Sequence, residues 1–207
     1  FVPDDTESGQ ALGRTTHLGV GAHQDDLEVM ALHGILACYK QPQKWFGGVT
    51  VTNGAGSSRT NEYADYTDEQ MQAVRAEEQR KAAVVGEFGF VAQLGYPSST
   101  VKQPGNSDFA VDLRMILAAT KPEVVYTHNL ADKHDTHVAV VVPLIRALRE
   151  MPAAERPAEV YGVEVWRDLN WLLDDEKVLL DMANRPNLVR ALISIFDSQI
   201  SGVKRYD

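Results

Sequence analysis

The segment Ala22-His23-Gln24-Asp25-Asp26-Leu27-Glu28 places one imidazole and two adjacent carboxylates at the end of an apolar run. His23 and Asp26, three residues apart on a turn entering a helix, can reach one divalent cation together while Asp25 faces elsewhere. One carboxylate then ligates, and its neighbour is left to take a proton from water. The same two acids also suit a helix start, where the positive end of the dipole favours carboxylates. Taken alone, the segment leaves ligation and capping both open.

A second cluster, residues 127–137, reads Thr-His-Asn-Leu-Ala-Asp-Lys-His-Asp-Thr-His and also follows an apolar run. His134 or His137 can complete a site begun by His23 and Asp26, because two histidines and a carboxylate with one open position form a common zinc arrangement. His17 at a strand start and His33 inside the first long helix read as structural. Cys38 is the single cysteine. It reads as core, and it excludes an intrachain disulfide and a cysteine-rich metal site.

Two such clusters need a scaffold that brings them together. Strand-like apolar runs recur over residues 17–22, 46–52, 90–94, 123–127 and 160–166. Helical patterns cover 27–39, 68–86, 108–119, 137–150 and 187–201, with caps expected at Thr67-Asp68-Glu69 and Ser107-Asp108 and a stop at Gly86. This alternation predicts an α/β fold, a three-layer Rossmann-like sandwich with a mostly parallel sheet, formed as one domain over residues 1–207. Both clusters then lie at strand carboxyl ends, the edge where open α/β sheets bind ligands. The polar stretch 53–65 is expected to be a long loop shaping the pocket.

Composition narrows the function. A net charge of -9 argues against a broad grip on nucleic acid or anionic membrane, both of which need a basic face. No window approaches the ~20 apolar residues of a membrane span, and no basic-then-apolar leader precedes the first strand. The expected partner is a small molecule and the expected compartment the cytoplasm. The sequence leaves homo-oligomerisation open.

At this point the residues resemble a known family. Ala22 to Glu28 is similar to the A-H-P-D-D-x-E signature of the PIG-L/LmbE-like zinc-dependent N-acetylglucosamine deacetylases. His134 to His137 resembles their H-P-D-H. Arg75-Ala76-Glu77-Glu78 and Leu94-Gly95-Tyr96-Pro97 resemble their R-x-x-E helix and L-G-Y strand end. The resemblance implies a zinc site held by His23, Asp26 and His137, a His, His, carboxylate set that also suits ferrous iron. It implies Asp25 as general base, His134 as acid or electrostatic partner, and Arg75 as a substrate-binding residue; without it, Arg75 would read as a helix-surface partner of Glu78 or Glu69. The activity it implies is hydrolysis of an N-acetyl group from an N-acetylglucosamine-type amino sugar or its conjugate.

The pattern departs at three places. The signature proline is Gln24, which only relaxes the turn. The internal aspartate of the second motif is Thr136, so the orientation of His134 passes to Asp135 or Asp132. A tyrosine that some relatives place nearby is Asp132, which leaves oxyanion stabilisation to the metal and His134. The competing readings are a zinc amidase of broader specificity and a metal-binding pseudoenzyme. A phospho-receiver domain would need an Asp after the third strand and a Lys after the fifth, where Leu94-Gly95-Tyr96-Pro97 and Trp166-Arg167-Asp168 stand. A dinucleotide site would need a G-x-G-x-x-G that is not there.

Overall fold

The protein is described by a computed structural model covering residues 1–103, 105, 108–167, 169–201 and 204. Five strands, β1 (His17–Gly21), β2 (Phe46–Thr52), β3 (Phe90–Tyr96), β4 (Val124–His128) and β5 (Glu159–Val163), form one sheet in the order β3-β2-β1-β4-β5. Every pair is parallel. The order reverses between β1 and β4. That pair is the topological switch point, where a crevice opens at the strand carboxyl ends.

Helices cover both faces, as a parallel sheet requires. On one side α1 (Ser8–Gly13), α6 (Asp108–Thr120) and α7 (Asp135–Glu150) pack Phe109, Leu113, Val140 and Leu144 onto Leu18, Val20, Val49 and Val125. On the other, α2 (Asp26–Met30), α3 (Leu32–Cys38), α4 (Asp68–Val85) and α8 (Pro186–Ile193) pack Leu27, Ile35, Ala83 and Leu192 onto Phe46, Val91 and Tyr126. Alternate residues of a strand point to opposite faces, so each strand feeds both cores. Two short helices, α5 (Ser98–Val101) and α9 (Asp197–Ile200), flank the crevice.

Glycine lets α2 sit close to the sheet. A Cβ at Gly21 would lie 2.9 Å from Asp26 Cβ, and one at Gly19 would lie 2.7 Å from the Phe46 ring. Any side chain at these positions would push the first turn of α2, and Asp26 with it, off the end of β1.

Several elements depart from expectation for local reasons. The helix expected over 27–39 bends at Ala31 into α2 and α3. The one expected over 187–201 breaks before α9, because the Glu78 carboxylate takes the Ser198 N–H at 2.8 Å and its hydroxyl at 2.7 Å. Strand β5 ends at Val163 rather than reaching Trp166. There Glu164 accepts the Trp166 N–H at 3.0 Å and also the Arg167 N–H, turning the chain out of the ladder. The loop after β2 contains a 3₁₀ turn, Asn61–Tyr63. Thr67 and Gln70 form a capping box on α4. Gly86 ends that helix in ordinary right-handed geometry, and the positive φ of 52° falls on Glu87. The expected cap Ser107 and the residue Asp168 lie outside the described residues.

Candidate metal centre

The two clusters meet at the switch point. His23 follows β1 and Asp26 opens α2, while His134 caps α7 and His137 lies in its first turn, after the loop that follows β4. His23 Nδ1 lies 3.3 Å from Asp26 Oδ2 and 3.3 Å from His137 Nε2, and His137 Nε2 lies 3.6 Å from Asp26 Oδ1. A tetrahedron with arms of about 2.0–2.1 Å has edges of about 3.3–3.4 Å. Two imidazole nitrogens and a carboxylate facing one another at these distances therefore fit a shared divalent cation.

Protonation favours the same role. Burial drives the His137 imidazole below its ordinary pKa. Burial and the neighbouring His23 do the same to His134. Burial pushes the Asp26 carboxyl up, yet His137, His128 and His23 together hold it well below the usual carboxylate range. Burial thus opposes a proton on His137 and His134, and a deprotonated ring nitrogen is what metal ligation requires.

Two further residues complete the cluster. Asp132 Oδ2 lies 2.8 Å from His137 Nδ1. It anchors that ring from behind, so the proton sits on Nδ1 and the Nε2 lone pair faces Asp26 and His23. Its Oδ1 accepts the His134 backbone N–H at 2.8 Å. His128, fully buried at the end of β4, stacks on His137 with centroids 3.8 Å apart and puts Nε2 3.2 Å from Asp26 Oδ2. That Nε2 also accepts the Ala22 N–H at 2.9 Å. Asp26, His128 and His137 form a second grouping of metal-ligand type beside His23, His134 and His137. The sequence signal for His128 was its place as the last residue of a strand that leads into the second cluster.

His134 is oriented differently from expectation. Its Nδ1 accepts the Thr136 backbone N–H at 3.3 Å, which leaves the neutral ring's proton on Nε2. Neither Asp132 nor the exposed Asp135 shares a hydrogen bond with the ring. The backbone of the first turn of α7 does the work expected of a carboxylate.

Asp25 and Arg75 form a buried pair rather than a helix-surface contact. Arg75 is 1% exposed and its Nη2 donates to Asp25 Oδ1 at 3.2 Å and to the Gln24 carbonyl. Among the described residues its buried Nε and Nη1 have no hydrogen-bond partner. Asp25 sits at φ 98°, in the left-handed region, which points its carboxylate away from Asp26. The other oxygen, Oδ2, is 2.6 Å from Lys204 Nζ. Gln24, at the proline position, is buried and ties the turn to β2 through the Thr52 carbonyl at 3.0 Å.

A pocket of about 380 Å³ opens over the cluster, within the usual range for small-molecule sites. His23, Asp26, His134, His137, Arg75 and Lys204 all line it. Asp25, 3% exposed, stands behind Arg75 and Lys204.

Comparison with known proteins bears on the fold and the family. Among solved structures, N,N'-diacetylchitobiose deacetylase from Pyrococcus horikoshii superposes with a TM-score of 0.68 at 17% identity, covering 90% of this chain and 70% of that one. GalB, the 4-carboxy-2-hydroxymuconate hydratase from Pseudomonas putida KT2440, gives 0.68 at 22% identity, covering 90% and 80%. A zinc-inhibited form of teicoplanin deacetylase gives 0.63 at 15%, covering 89% and 84%. These likenesses show a common fold. A search among curated proteins finds no significant match. The profile of the family described as GlcNAc-PI de-N-acetylase, PIG-L, matches residues 18–148. That stretch is well over half the chain and includes His23, Asp26, His134 and His137; the chain belongs to the PIG-L family.

Proposed function

We propose that the protein is a metal-dependent hydrolase that removes the N-acetyl group of an N-acetylglucosamine-type amino sugar or its conjugate. The observation that carries this reading is the convergence of His23 Nδ1, Asp26 and His137 Nε2 within 3.6 Å of one another in the lining of the pocket. Membership of a de-N-acetylase family and the fold shared with two sugar or glycopeptide deacetylases support it. Fold alone does not choose, since a hydratase shares it.

His23, Asp26 and His137 would hold a divalent cation, zinc or ferrous iron, with Asp132 fixing the His137 ring. When bound there, such a cation polarises a carbonyl oxygen and makes water acidic enough to lose a proton near neutral pH. Asp25 accepts that proton on Oδ2 as the water oxygen attacks the acetyl carbon. Arg75 keeps the carboxylate in place and binds the substrate. His134, with its proton on Nε2, donates a hydrogen bond to the oxygen that gains charge. The C–N bond then breaks, and the departing nitrogen recovers a proton to leave as free amine beside acetate.

The test is acetate release from N-acetylglucosamine conjugates by protein loaded in turn with Zn²⁺ and Fe²⁺, against larger acyl amides. Hydrolysis confined to the acetamides supports the reading. Equal turnover of long acyl amides favours a broad amidase, and bound metal without turnover of any amide favours a pseudoenzyme.

A further inference from the structure

Trp166 stands in the same pocket, and the reaction derived above makes no use of it. Its ring is 45% exposed. It lies parallel to the His134 imidazole, 8° between planes with centroids 6.4 Å apart, and to that of His137 at 15° and 6.4 Å. The loop that carries it is fixed from inside. Glu164, 1% exposed, gathers the backbone N–H groups of Trp166 and Arg167, and Lys133 Nζ lies 5.6 Å from the indole. A broad apolar ring left open to solvent beside reacting groups, on a turn held by a buried carboxylate, is pre-organised for a ligand.

The rest of the lining indicates which ligand. Apart from the imidazoles, Trp166 is the one aromatic side chain among the described lining residues, and no Leu, Ile, Val, Met or Phe joins it. Ser57, Ser58, Ser98 and Gln199 supply hydroxyl and amide groups. Among its described residues such a pocket offers a long acyl chain no aliphatic side chain of Leu, Ile, Val or Met. It offers a pyranose both things that ring needs, a flat surface for its C–H face and hydrogen-bonding groups for its hydroxyl edge.

We propose that Trp166 is a specificity-determining residue, the platform on which the sugar ring of a 2-acetamido pyranose stacks while its acetamide reaches the His23, Asp26 and His137 cluster. Ser57, Ser58, Ser98 and Gln199 take the ring hydroxyls. This assignment rests on the amidohydrolase reading and adds to it the residue that selects the sugar ring.

The test compares the methyl glycoside of N-acetylglucosamine with N-acetylethanolamine, which carries the same amide without a ring, on the metal-loaded protein and its Trp166→Ala and Trp166→Phe variants. Trp166→Ala is expected to lower kcat/KM for the glycoside at least about tenfold, chiefly through KM, with Trp166→Phe recovering most of the loss. Turnover of N-acetylethanolamine should be unchanged in both. The glycoside should also quench the tryptophan fluorescence of the native protein and lose that effect in Trp166→Phe, where Trp45 and Trp171 remain. Unchanged KM for the glycoside in Trp166→Ala, or an equal loss on both amides, overturns the assignment. Fluorescence quenching through Trp166 without hydrolysis of either amide keeps the platform and rejects the hydrolase reading, whereas binding of neither compound rejects both.

Discussion

Lys204 Nζ lies 2.6 Å from Asp25 Oδ2, on the carboxylate oxygen that Arg75 leaves open. The proposed base is therefore bracketed by two cations, one from α4 and one from the far end of the chain. For Asp25 to take a proton on Oδ2, the ammonium must give way. Lys204→Met is expected to raise kcat a few-fold by removing that ion pair, while Asp25→Asn should lower it by about 10²–10⁴ with metal content intact. Steady-state kinetics with elemental analysis separates the two effects. A fall in kcat for Lys204→Met would place the ammonium in the reaction itself.

Asp132 touches the cluster only through His137 Nδ1 and the His134 backbone. Removing its charge should loosen the ring that presents Nε2. Asp132→Asn is expected to weaken divalent metal binding by about 10–100-fold, read by competition with a chromophoric chelator. Unaltered affinity would mean that packing against His128 is enough to hold His137.

Glu28 is buried beneath the cluster, and burial pushes its carboxyl up to about 8 from 4.5. Folded protein then keeps a proton that the unfolded chain has already lost. Between these two values stability should fall as pH rises, by up to about 1.4 kcal/mol per pH unit, and level off above the folded value. Glu28→Gln, which stays neutral, should flatten that window. Urea denaturation from pH 5 to pH 8 is the measurement, and parallel curves for the two proteins would contradict the burial argument.

Cys38 is 5% exposed, and burial raises its thiol to about 12. Alkylation by iodoacetamide at pH 8 should proceed at the rate of global unfolding. Modification of native protein within minutes would show that α3 opens locally.

The five strands and most helices were legible because each carries a continuous apolar signal. His17–Gly21 and Phe46–Thr52 are buried along their whole length. Half the site was legible for a related reason: His23, Asp25, Asp26, His134 and His137 lie in short motifs at strand ends. What stayed hidden depends on where side chains go after folding. Glu164 and Glu78 capture backbone N–H groups and end β5 and the last helix early, and a lone Glu carries no local mark of doing so. Lys204 and Gln199 join the pocket from α9 and the residues after it, far in sequence from any motif. Thr136 in place of the motif's aspartate pointed to Asp135 or Asp132 as the residue that orients His134, whereas the backbone N–H of Thr136 itself meets the ring at Nδ1.

Asp25 and Lys204 are 179 positions apart, and that separation orders events during synthesis. The last strand closes at Val163, so the sheet and the motif residues at its edge can assemble before the segment carrying Gln199 and Lys204 has left the ribosome. In that interval the pocket lacks both side chains, and Asp25 lacks the ammonium. A nascent chain thus gathers His23, Asp26 and His137 before the wall around them takes its final shape.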